Sequence, residues 1–138
     1  MEDDQVAKAL AKSAEVKAFL VEPRTGVYIV GRRGKRDGEI LWASPSMEAV
    51  LGHSPTGLVG RNAWGVLLAP EDVLPATEYS ARMSEGDLLA WAPLLKADGS
   101  KVWVRFDALN RQGLVVIAVR PEPDQGQHYF HGVGRSGR

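Results

Sequence analysis

The sequence predicts an antiparallel α+β domain, and three observations support this. Strand-like runs come in two groups, at 27–44 and 88–120, with no regular strand–helix alternation between them. Asp98-Gly99 and Asn110-Arg111-Gln112-Gly113 supply short hairpin turns inside the second group. Between the groups lie short helical turns with polar caps, proline starts and glycine stops.

In chain order, residues 1–22 predict one amphipathic helix. Asp3 and Asp4 suit its N-terminus, and Pro23 ends it by disfavouring helical geometry at Glu22. At about 100° per residue, Val6, Ala9, Leu10, Ser13, Leu20 and Val21 share a face opposite Lys8, Lys12 and Glu15. A stripe this thin needs a partner surface, either the rest of the domain or a second copy of the helix. Val6, Leu10 and Leu20 are the candidate dimer contacts. Val27–Val30 and Glu39–Ser44 read as a hairpin around the polar loop 31–38. Ser46 caps a short helix to Gly52, Ser54-Pro55 and Pro70-Glu71-Asp72 start further turns, and a helix is expected over 74–84. Three strands follow at 88–96, 101–109 and 114–120. Leu114–Val119 is apolar at every position, so both faces of that strand need cover, and the N-terminal helix is the available lid. The expected division is therefore a helix at 1–22, a domain at 23–121 and a flexible, Gly-rich tail at 122–138.

Composition narrows the class of function. With 44% hydrophobic and 25% charged residues the chain is an ordinary globular one. Seventeen basic and 17 acidic side chains balance, which gives no general pull toward nucleic acid or an anionic membrane. No run reaches membrane-span length, and Met1-Glu2-Asp3-Asp4 lacks the basic-then-apolar order of a signal peptide, so a cytoplasmic protein is expected. The absence of cysteine rules out disulfides, thiolate nucleophiles and Cys-based metal sites.

Ser44-Pro45-Ser46, Leu51-Gly52-His53-Ser54-Pro55, Gly60-Arg61, Pro70-Glu71-Asp72 and Asp98-Gly99 with Val102-Trp103-Val104 occur in the order found in PAS domains. Over residues 27–120 the chain resembles that family, with His53 replacing the usual aromatic residue. The resemblance implies a five-stranded antiparallel sheet with short helices across one face, around a small apolar cavity. Trp42, Leu68, Tyr79, Met83, Trp91, Val104 and Ile117 are the expected pocket lining. It also implies a non-catalytic sensory or protein-interaction module of bacterial signal transduction. Its expected partners are a second copy of itself and an effector protein or fused effector domain, not membrane or nucleic acid. A metabolite, haem or flavin sensor is the alternative. Light-sensing flavin members carry cysteine directly after Gly-Arg-Asn, where this chain has Ala63. Haem members usually supply histidine from the helix after Pro-Glu-Asp, where 73–86 has none and Tyr79 and Met83 are the only conceivable ligands. No cofactor is therefore expected.

Other candidate chemistry weighs less. His128 and His131, with Asp124, could hold a metal if helical, although tail residues without a structural role are the simpler reading. His53 beside Ser54 hints at a base–nucleophile pair, but Ser54 is better explained as a cap. Arg32-Arg33-Gly34-Lys35-Arg36 is the densest basic cluster and reads as a solvated loop, with contact to phosphate or an acidic partner as the alternative. For a small α+β enzyme, Asp107 is the one acid to check, with Arg105 or Arg120 as its expected partners.

Overall fold

The computed structural model describes residues 2–32, 36–73, 87–122 and 131–134. The N-terminal segment is two helices, α1 (Asp3–Ala11) and α2 (Ala14–Val21), not the single helix expected. Ser13 makes the break: its hydroxyl donates to the Leu10 carbonyl at 2.6 Å and accepts from the Val16 N–H at 3.3 Å, ending one helix and capping the next. A continuous helix would carry Val16 about 100° off the mean direction of Val6 and Leu10. The break turns it inward, and Val16 is fully buried while Val21 stays 81% exposed.

Strands β1 (Gly26–Gly31) and β2 (Ile40–Ala43) precede three short helices, α3 (Met47–Leu51), α4 (Pro55–Leu58) and α5 (Ala63–Val66), and a 3₁₀ turn at Pro70–Asp72. Ser54 caps α4 by accepting from the Gly57 N–H, as the sequence predicts. Strands β3 (Leu88–Leu95), β4 (Lys101–Arg111) and β5 (Leu114–Pro121) complete the predicted hairpins, β4 and β5 joined by Gln112-Gly113 with both φ positive. The six strands pair antiparallel throughout, in the order β2-β1-β5-β4-β3-β6.

The sixth strand, β6 (His131–Gly134), falls in the segment expected to be a flexible tail and pairs with Leu88–Trp91. Its two glycines hide it from a propensity argument. The edge it meets explains the pairing. The Leu95 N–H bonds the Leu67 carbonyl across that edge, so the odd positions of β3 turn their backbone groups outward. Leu89 and Trp91 thus turn their ladder groups toward β6, where they face Val133 and His131, and Pro93, which has no N–H, limits further pairing.

The sheet separates two cores. On the inner face, under α3–α5, lie Tyr28, Val30, Ile40, Val104, Ala108, Val115, Ile117 and Val119 with Met47, Leu51, Leu58 and Leu67. On the outer face Val6, Ala7, Leu10 and Val16 pack on Val27, Ile29, Leu41, Val116 and Ala118. Leu114–Val119 is buried along its whole length, with alternate residues in the two cores, as its unbroken apolar pattern requires.

Candidate functional site

The inner core brings together three of the expected pocket residues. Leu68, Val104 and Ile117 share it, beside Tyr28, whose hydroxyl burial pushes well above the ordinary tyrosine range. Tyr79 and Met83 lie outside the described residues. Trp42 and Trp91 are placed elsewhere, which corrects the expectation. Trp42 pairs with Ile29 and packs on the outer core, and Trp91 pairs with Arg105, a residue of the outer face.

At one end of the inner core sits Asp72, fully buried. Its Oδ2 accepts from Lys101 Nζ at 3.1 Å, and the same ammonium reaches Glu71 at 2.9 Å. Oδ1 of Asp72 is buried and has no hydrogen-bond partner among the described residues. An orphaned buried carboxylate oxygen is costly, and a donor placed beside it would relieve that cost. The Lys101 hydrogen bond holds the Glu71 carboxyl below its ordinary value.

Gly60-Arg61-Asn62 seams the helices to β2. Ile40 exchanges backbone hydrogen bonds with Gly60 and Arg61, and the Asn62 side chain caps α5 through the Trp64 N–H while donating to the Asp37 carbonyl. Asn62 is thus used as a structural cap, and Ala63 behind it packs on the inner core. These residues do not fit a cysteinyl–flavin site.

The outer face is the more polar site. Three arginines tie α1 and α2 to the sheet, each between two carboxylates. Arg36 bonds Asp4 at 2.9 Å and Glu39 at 3.0 Å. Arg111 grips Glu15 through Nε and Nη2, at 2.9 and 2.8 Å, and also Asp87 at 2.9 Å. Arg120 bonds Glu22 and Glu122, both at 2.8 Å. The Glu15 hydrogen bonds, then that of Asp87, raise the Arg111 guanidinium above its ordinary value. Val6 and Leu10, expected at a dimer interface, are instead buried against this chain's own sheet, and Leu20 packs on the same core. Their reason is local: β1 and β5 present an apolar outer face that they cover.

Glu122 also accepts from the Trp91 indole N–H at 3.1 Å. Burial opposes its charge, but the Arg120 and Trp91 hydrogen bonds prevail and hold the carboxyl below its ordinary value. A carboxyl depressed on folding contributes stability above its unfolded pKa, and that stability is lost as pH falls through the folded value. Glu122→Gln should therefore flatten the acid limb of the stability profile below about pH 4.5, measured by urea melts across pH. An unchanged acid limb would contradict the pairing.

Of the remaining candidates, His53, Ser54, Arg32 and Arg36 find structural roles. His53 Nε2 lies 3.2 Å from the Leu95 carbonyl, and Ser54 is engaged as a cap, so neither is arranged as a base–nucleophile pair. In the basic loop, Arg32 donates to Asn110 and Arg36 is held by its two carboxylates. His131 begins β6, and His128 and Asp124 lie outside the described residues, among which no group of three metal-ligating side chains occurs. Asp107 is buried, 3.7 Å from Arg105 Nε.

An antiparallel sheet in the order β2-β1-β5-β4-β3, with short helices between β2 and β3 laid on one face, is the PAS fold, here with an added edge strand. Solved structures agree. The PAS domain of a Colwellia psychrerythraea protein matches at TM-score 0.63 and 19% identity, over 80% of this chain and 95% of that one. A domain of a sensory box sensor histidine kinase/response regulator from Geobacter sulfurreducens matches at 0.60 and 19%, over 80% and 98%. The PAS domain of the Cronobacter turicensis RpfR quorum-sensing receptor, in complex with BDSF, matches at 0.60 and 12%, over 72% and 95%. No protein-family model matches the chain, and no curated protein sequence does. Among the described residues, no helix is long and apolar enough to cross a membrane.

Proposed function

We propose that this chain is a non-catalytic PAS sensory and protein-interaction domain of bacterial-type, cytoplasmic signal transduction. Occupancy of the inner core or contact with a partner shifts the sheet, and the sheet moves the α1–α2 unit, which passes the change to an effector protein or fused domain. One observation carries this reading: α1 and α2 are fixed to the sheet face directly behind the inner core, by burial of Val6, Leu10 and Val16 and by the three arginines. Residues of β5 alternate between the two cores, so a displacement of Ile117 is felt at Val116 and Ala118. A homodimer belongs to the same proposal, but its contacts are not Val6 and Leu10, which the sheet already covers.

A second reading, a small-ligand sensor, is favoured by Asp72, whose buried Oδ1, without a partner among the described residues, offers an acceptor to a hydroxyl or amide of a bound molecule. The similar RpfR domain was solved with BDSF and with C12:0.

Native mass spectrometry of the purified chain tests both readings. A retained small molecule supports the ligand sensor, and a ligand-free dimer supports the interaction domain. A bare monomer that gains no mass with cell metabolites and no partner with effector domains would count against the proposal.

A further inference from the structure

The outer face carries a fourth arginine that breaks the pattern of the other three. Arg36, Arg111 and Arg120 each hold two carboxylates within 3.0 Å. Arg105 has one, Asp107, at 3.7 Å from its Nε, and among the described residues its guanidinium makes no hydrogen bond. It is two-thirds buried and lines a cleft of about 100 Å³ between the end of α2 and strands β4 and β5. Phe19, Glu22, Thr25, Asp107 and Arg120 complete the polar and aromatic part of the lining. A guanidinium with five donors, partly desolvated and lacking a close acceptor, is an incomplete site for a planar carboxylate.

The lining also shows what else the ligand must carry. Two arginines and two carboxylates make the cleft formally neutral, so a bare anion would bring uncompensated charge beside Glu22 and Asp107. Thr25, buried, donates its hydroxyl, among the described residues, to the Pro23 carbonyl at 3.4 Å, and keeps lone pairs for a cationic donor. A cleft of about 100 Å³ suits a molecule of only a few heavy atoms. We propose that this cleft binds a small zwitterion of the α-amino acid class. Its carboxylate sits on Arg105, its ammonium is directed to Thr25 and the acidic lining, and its side chain lies against Phe19. The site is on the sheet face opposite the inner core, so its existence does not rest on the sensory reading.

The test is a titration of the 138-residue chain, followed by amide chemical shifts, with L-alanine, propionate and ethylamine as separate probes. Alanine is expected to shift Thr25, Arg105, Ala118 and Arg120 with saturation, and the two half-probes to bind at least about tenfold more weakly. Arg105→Gln should weaken alanine by about tenfold or more, and Arg105→Lys, which keeps charge but loses the fork, should fall between them. Circular dichroism melts confirm that both variants fold; if the glutamine variant does not, the lysine variant carries the comparison. Propionate or ethylamine binding as tightly as alanine overturns the zwitterion assignment. Shifts confined to Leu68, Val104 and Ile117, or no saturation, overturn the site and leave the proposed function standing.

Discussion

Removal of residues 1–22 is expected to leave a chain that no longer folds as a soluble monomer. Val6, Leu10 and Val16 are 8%, 6% and 0% exposed. Their burial is worth on the order of 5–8 kcal/mol together, an upper figure because denatured chains retain some contacts. A domain of this size has about 5–15 kcal/mol in total. Truncation would also expose Val27, Ile29, Val116 and Ala118 as a continuous apolar strip, and release Arg111 and Arg120 from Glu15 and Glu22. Light scattering after size exclusion should show aggregates or higher oligomers, with increased binding of an apolar dye. A monomer with an unchanged urea midpoint would remove the covering role. Because a truncated chain can fail for other reasons, Leu10→Ala and Val16→Ala in the intact protein provide a second measure. Each is expected to cost about 2–4 kcal/mol, less for valine than for leucine.

The lid was legible in the sequence because an unbroken apolar strand demands cover on both faces, and only one segment was available to supply it. Which residues would do the covering was less legible. The stripe Val6, Ala9, Leu10, Leu20, Val21 assumes one straight helix; within α1 the buried face takes Ala7 and not Ala9, and beyond the Ser13 break Val16 and not Val21 is buried. A serine within an alanine-rich run was the available signal, since its hydroxyl competes with helical hydrogen bonds.

Trp42 was misplaced for a different reason. Strict alternation puts Ile40 and Trp42 on one face, but Val30 pairs with Ile40 while Ile29 pairs with Trp42, so Leu41 is an extra residue in a bulge. One inserted residue sends Trp42 to the outer face, and no period-2 argument detects it. Trp91 misled through size. The inner face of β3 is instead lined by Ala90, Ala92 and Leu94, small residues that let the sheet and its cover approach closely. The arginine–carboxylate pairs were also out of reach, since Arg111 and Glu15 stand 96 residues apart. Charge counts give the balance of such groups but not their meeting.

Gly38→Ala is expected to destabilise the chain strongly, because two independent costs fall on one methyl group. Gly38 has φ +85°, where an L side chain is strained by about 1–2 kcal/mol. A Cβ there would lie 2.6 Å from Trp64 Nε1 and 2.7 Å from Cδ1, distances at which something must move. Trp64 cannot move freely, since it packs on the inner core and its own N–H is held by the Asn62 cap. Gly38 cannot move freely either, since its N–H bonds the Gly31 carbonyl and its carbonyl takes the Ala63 N–H, at 2.9 and 2.8 Å. Overpacking of this kind costs a further 1–3 kcal/mol or so, giving a loss of about 2–5 kcal/mol. Gly99→Ala separates the two terms: φ there is +89°, yet nothing lies within 4 Å of the added carbon, so strain alone should appear. Urea melts of both variants measure the difference, and a shifted tryptophan emission in the first reports the displaced indole. Equal losses at the two positions would mean that Trp64 does not clamp the β2 seam, and the Gly-Arg-Asn triplet would then need another explanation for its place beside that seam.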